Sequence, residues 1–129
     1  MKALRNYLTF NSIVALLSAA AFLFFPHAVT ASQGATIAPG ALIFVKTVGG
    51  LILSIAVLDW YARDLKDAKM MEGVLITNFL VHASSVAIDT MGVTSGVISG
   101  GTEWYNIAIR GLIALGFLYF IVKNPLKKS

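Results

Sequence analysis

The chain has 129 residues, 57% of them apolar or aromatic and only 12% charged, about half the roughly 25% of an average soluble domain. It contains no cysteine, which excludes a disulfide scaffold, a thiolate metal site and a cysteine nucleophile. The net charge of +4 comes with no soluble segment in which basic and aromatic residues interleave, so nucleic acid is not an implied partner.

A bilayer core of about 30 Å is crossed by roughly 20 apolar helical residues. Four stretches meet that length, and none alternates with the period of two that a β-barrel strand needs. The predicted class is an all-α, four-transmembrane-helix bundle forming one domain.

The first span is Tyr7–Phe25, closed by Pro26. Met1–Arg5 ahead of an apolar run resembles a signal peptide. The run exceeds the about 7–15 residues of such a segment, however, and is read as a retained helix. Asn11, Ala15, Ser18 and Ala19 give it a small and polar face. The connection His27–Pro39 carries no lysine or arginine.

The second span, Gly40–Tyr61, contains Lys46 and ends on Trp60-Tyr61 at an interface. Gly50 and Ser54 have the spacing that lets helix backbones approach. In the next connection, i,i+4 spacing predicts that Arg63 pairs with Asp59 and Asp67. Its shortness predicts that the second and third spans are antiparallel neighbours.

The third span, Gly73–Met91, carries Asn78, His82, Ser85 and Asp89 at spacings that place all four on one helix face. The fourth, Glu103–Val122, begins on an acid and Trp104-Tyr105, contains Arg110, and ends before Asn124-Pro125.

Eight of the ten basic residues flank the chain ends or lie between spans two and three, and the other two connections have none. By the positive-inside rule both termini are cytoplasmic, in a multi-pass protein of a bacterial inner membrane.

Intramembrane ionisable residues cost roughly 2.5–3.5 kcal/mol each at the centre of a span and are functional hypotheses by default. Lys46 and Arg110 each lie about 10 Å inside the outer boundary. Asp89 approaches the same depth from span three and should ion-pair with one of them. A polar stripe does not face lipid, so Asn78, His82 and Asp89 should face the interior. The candidate ligand-binding residues are therefore Lys46, Asn78, His82, Asp89 and Arg110. Snorkelling of the two cations and simple charge pairing explain the same pattern without a ligand.

Two histidines on separate elements do not make a metal site. Ser85 and Asp89 flank His82 on one helix, which does not reproduce triad geometry. No catalytic residue is assigned, and no cofactor is specified.

Lys46-Thr47-Val48-Gly49-Gly50 running to Asp59-Trp60-Tyr61-Ala62-Arg63, with Arg110-Gly111 running to Gly116-Phe117-Leu118-Tyr119-Phe120, resembles DoxX-like small bacterial membrane proteins. The resemblance implies a four-helix membrane bundle, and some such proteins are linked to quinone-coupled sulfur oxidation. It implies no catalytic residue here.

Three functions remain open. The first is an outward-opening polar interior site for an amphiphilic or anionic ligand, in a protein acting alone or as a subunit of a membrane complex. The second is a transporter or channel for a small anion or a proton. The third is a purely structural scaffold. Candidate partners are membrane lipid, a quinone or another amphiphile, other membrane subunits and a second copy of the chain.

Overall fold

The computed structural model describes residues 1–99 and 101–127. The described residues form five helices and no strand: α1 Lys2–Phe24, α2 Pro26–Ser32, α3 Leu42–Ala62, α4 Ala68–Thr94 and α5 Thr102–Val122. Helices α1, α3, α4 and α5 are each long and apolar enough to cross a membrane.

The helix ends have local causes. Pro26 has no N–H and a fixed φ, which suits the first position of a helix and disfavours helix at the residue before it. Phe25 accordingly leaves the helical region (φ −128°, ψ 46°), and the chain restarts as the short α2. That helix lies in a stretch predicted to be loop. Gly34 and Gly40 take up φ of 71° and 86°, left-handed values that suit glycine, as the chain turns back into α3.

Helix α4 begins five residues before the predicted Gly73, because Asp67 caps it. The Asp67 side chain accepts a 2.8 Å hydrogen bond from the Met70 N–H. Arg63 therefore does not pair with Asp67. Instead it meets Asp64 at 3.5 Å and lays its guanidinium 3.4 Å from the Trp60 ring centroid. It does not pair with Asp59 either, since that carboxyl is turned into the bundle.

The helices pack as two antiparallel hairpins, α1 along α3 and α4 along α5. Helices α3 and α4, predicted as antiparallel neighbours, are joined by a short turn and touch sparsely. In the first hairpin Ala15 and Ala19 are buried and Ser12 Oγ donates to the Ala56 carbonyl at 2.7 Å. Gly49, not the predicted Gly50, makes the close approach. A Cβ on Gly49 would lie 3.0 Å from Leu23 Cγ and Phe22 Cβ, whereas one on Gly50 would meet nothing within 4 Å.

The hairpins join at the end of the bundle that carries both termini. Leu4 and Leu8 of α1 pack with Ala62 of α3, Met71, Val74 and Leu75 of α4, and Ile113 and Phe117 of α5. Tyr7 locks the seam: its hydroxyl donates to the Ile113 carbonyl at 2.6 Å, and its ring meets Phe117 edge-on at 4.9 Å. Arg5 pairs with Asp64 at 3.3 Å and Lys127 with Glu72 at 2.8 Å on the same end.

Outside this core, long apolar side chains such as Leu17, Phe44, Leu51, Leu80, Leu112 and Leu115 are exposed on all four long helices. Soluble monomers rarely show so much contiguous hydrocarbon, and a bilayer accommodates it. Helix hydroxyls on these surfaces bond back to their own helix, as Thr47 does to Ile43 and Thr77 to Gly73, so they add no unsatisfied donor.

Candidate functional site

Above the shared core the hairpins part, and a cavity of about 740 Å³ lies between them. Ligand pockets commonly measure about 300–1,000 Å³. Its walls are largely aliphatic, with Val14 from α1, Ile52 and Ile55 from α3, Val81 and Ile88 from α4, and Ile109 from α5. Val48, Leu51 and Ser54 of α3 and Ser84 and Ile88 of α4 line it while also being exposed. These exposed lining residues place an opening between the sparsely touching α3 and α4, and Ile109 of α5, also exposed, lines the cavity too.

Its floor is a buried hydrogen-bond network. Asp59 accepts from Asn11 Nδ2 at 2.6 Å and from Asn78 Nδ2 at 2.7 Å, one amide to each carboxylate oxygen. Asn78 Nδ2 also donates to the Val74 carbonyl, and Asn78 Oδ1 accepts from Asn11 Nδ2 at 3.1 Å. Asn11 thus commits its NH₂ group to two acceptors, which leaves Oδ1 to accept. His82 Nε2 lies 3.2 Å from that oxygen and must be the donor, so Nδ1 is the ring nitrogen without a partner among the described residues. The imidazole rests nearly parallel on the Phe117 ring, 5.8 Å between centroids. Asn11 and His82 line the cavity, while Asp59 and Asn78 are fully buried behind them.

The opposite end of the cavity is charged. Arg110 Nη1 lies 3.3 Å from Asp89 Oδ2, joining α5 to α4. Asn106 and Gln33 complete this end. The connections are tied together just beyond it: Thr102 Oγ1 donates to the Ser32 carbonyl at 2.5 Å and Ser99 Oγ to the Gly34 carbonyl at 3.2 Å.

Of the residues singled out from sequence, Asn78 and His82 belong to one network, and Asp89 and Arg110 form the expected ion pair at the cavity's other end. Lys46 is not brought to either group. It is exposed on α3, does not line the cavity and takes part in no ion pair among the described residues. The polar face read on span one is present: Asn11, Ala15 and Ser18 line the cavity opposite His82 and Ser85.

Asp59 and Glu103 were not among the sequence candidates. Two signals pointed to Asp59. It shares an α3 face with the small residues Gly49, Ala56 and Ala62, and two asparagines within spans call for an acceptor. Glu103, the acid on which span four begins, is 1% exposed.

Among the described residues no cluster of side chains is suited to a metal ion. Comparison of the chain with family models, curated proteins and solved structures finds no match.

Proposed function

We propose that this chain is a small integral membrane protein, both termini cytoplasmic, whose inter-hairpin cavity binds an amphiphile. The observation that carries the reading is the cavity itself. It has aliphatic walls, a hydrogen-bonding floor at Asn11 and His82, and a charged end at Asp89 and Arg110. A molecule with an apolar body and polar substituents matches that distribution. In this orientation the cavity sits in the outer half of the bundle, and a lipid or quinone-like molecule reaches it sideways through the α3–α4 gap.

His82 Nδ1 and the Arg110 guanidinium are the direct contacts in this reading, and Asn78 and Asp59 hold Asn11 in place behind them. Lys46 has no part in it. A static channel fits less well, because below the network Leu8, Leu75, Ile113 and Phe117 close the bundle towards the termini. Whether the protein acts alone, as a pair of copies or within a larger complex does not alter the proposed site.

The test is native mass spectrometry of the purified protein. Ser85 lines the cavity and its hydroxyl bonds only to its own helix, so Ser85→Trp fills space without orphaning a partner. The wild type should carry a stoichiometric amphiphile that His82→Leu weakens and Ser85→Trp abolishes, with Lys46→Met as the unaffected control. A wild type that never retains a bound molecule, or a Ser85→Trp variant that retains it undiminished, overturns the reading.

A further inference from the structure

The amide network under the cavity has a direction, and a backbone carbonyl sets it. The Val74 carbonyl can only accept, so the part of the Asn78 amide that faces it is the NH₂ group. Asn78 Oδ1 is thereby turned to Asn11 and takes a hydrogen bond from its NH₂ group. Asn11 Oδ1 is then left towards His82, and Nε2 carries the proton of the neutral imidazole. Each step follows from the one before it, whichever protonation state Asp59 adopts. The last consequence falls on Nδ1, a lone pair with no partner among the described residues. That atom is not walled off by protein, and the ring that carries it lines the cavity.

The donors around Nδ1 are engaged elsewhere. The NH₂ group of Asn11 serves Asp59 and Asn78. The hydroxyls of Ser84 and Ser85 donate to the Val81 carbonyl, and that of Ser54 to the Gly50 carbonyl. Ser18 also lines the cavity, but it lies seven residues along α1 from Asn11, about 10 Å away. The Arg110 guanidinium sits beside Asp89, which is seven residues beyond His82 on α4 and so also about 10 Å off. The floor of the cavity thus offers acceptors and no free donor.

We infer that this floor takes the hydroxyl of a membrane-dissolved alcohol or phenol, its O–H donating to His82 Nδ1. The inference rests on the proposed amphiphile site and names the head group of its ligand. A hydroxyl supplies the donor that the floor lacks and brings no charge among valine and isoleucine side chains. The apolar body then lies along Val14, Ile52, Ile55 and Ile88. A ketone, an ether or a quinone carbonyl sets lone pairs against lone pairs. An ammonium donates as well, but its charge meets no carboxylate at the floor. Asp59 is sealed behind Asn11 and Asn78, and Asp89 is held by Arg110 at the far end.

The test uses 2-dodecanol and 2-dodecanone, which share a skeleton and differ only in the head. The full chain is reconstituted in phosphatidylcholine nanodiscs, with empty nanodiscs as the blank, at about pH 8, above the ordinary histidine pKa of about 6.5. At equal mole fraction in the bilayer the alcohol should bind about fivefold more tightly than the ketone, the ratio that a net hydrogen bond of about 1 kcal/mol produces. His27 is exposed, so His27→Gln leaves His82 as the single imidazole of the chain at little structural cost. The nitrogen-15 spectrum of that variant, labelled at histidine, should show the proton on Nε2 and a bare Nδ1. The alcohol should shift the Nδ1 resonance, and the ketone should leave it in place.

A proton found on Nδ1 overturns the inference. So does equal binding of the two probes, as expected if an ordered water holds Nδ1, or an Nδ1 resonance that the bound alcohol does not move. In each of these cases binding of either probe leaves the amphiphile site standing. Failure of both probes to exceed the blank removes the amphiphile site itself, and the inference with it.

Discussion

Asp59 is fully buried and held by two amides, with no cation in ion-pair reach among the described residues. In water-soluble proteins a hydrogen bond to a charged group contributes about 1.5–3 kcal/mol. Within membranes, side-chain hydrogen bonds average nearer 0.6 kcal/mol, because the unfolded helices also find partners. Asp59→Ala removes two such bonds and orphans donors on both Asn11 and Asn78. A loss of about 1–3 kcal/mol is therefore expected, read by thermal unfolding in detergent. Asp59→Asn keeps one acceptor and should lose less. If Asp59→Ala is as stable as the wild type, the network does not hold the two hairpins together. This residue also marks what the sequence could not convey. The depth of Lys46 and Arg110 along their helices was legible from rise per residue, but their azimuth was not. Helices apolar all round give no periodic stripe to say which side faces a neighbour. Asn78, His82 and Asp89 escaped that ambiguity because three polar groups at helical spacing define a face by themselves. Asp59, one turn from a helix end, fitted a surface ion pair equally well.

The next level of organisation is the hairpin. The sequence made the four long helices legible because hydrocarbon thickness imposes their length. It left α2 unread because a seven-residue helix has no length signature, and only Pro26 marks where it starts. Which helices pair was not legible either, since a short connection allows neighbours without compelling close contact. The hairpins meet closely where Tyr7 lies over Gly116. A Cβ added at Gly116 would run into Tyr7 Oη and come within 2.5 Å of Tyr7 Cζ. The tyrosine is pinned by its bond to the Ile113 carbonyl and by Phe117, so it has little room to retreat. Gly116→Ala should cost about 1–3 kcal/mol, the usual penalty of overpacking. Gly50→Ala, with open space around the new methyl group, should stay within about 0.5 kcal/mol of the wild type. Chemical cross-linking between α1 and α5 should fall in the first variant alone. Equal stability of the two variants would count against the described seam.

For the whole molecule, the basic residues other than Lys46 and Arg110 gather, among the described residues, at the end where the hairpins are fused, and the opposite end is bridged by uncharged connections. Reporter fusions after Asn124 should read as cytoplasmic and fusions within 30–35 as external. The reverse pattern would turn the cavity towards the cytoplasmic leaflet and overturn the proposed orientation. The sideways opening between α3 and α4 has a consequence for binding thermodynamics. In a pocket facing water, each buried methylene of a ligand contributes about 0.8 kcal/mol. In the proposed site a tail would arrive from hydrocarbon and settle against valine and isoleucine, exchanging one oily surroundings for another with almost no gain. A longer tail would thus enrich a compound in the bilayer without raising its occupancy at a given mole fraction. The lipids' own acyl chains would compete for the same walls on equal footing. Under the proposed function, selectivity among membrane-dissolved molecules would then be written in a handful of polar atoms at the two extremities of the cavity.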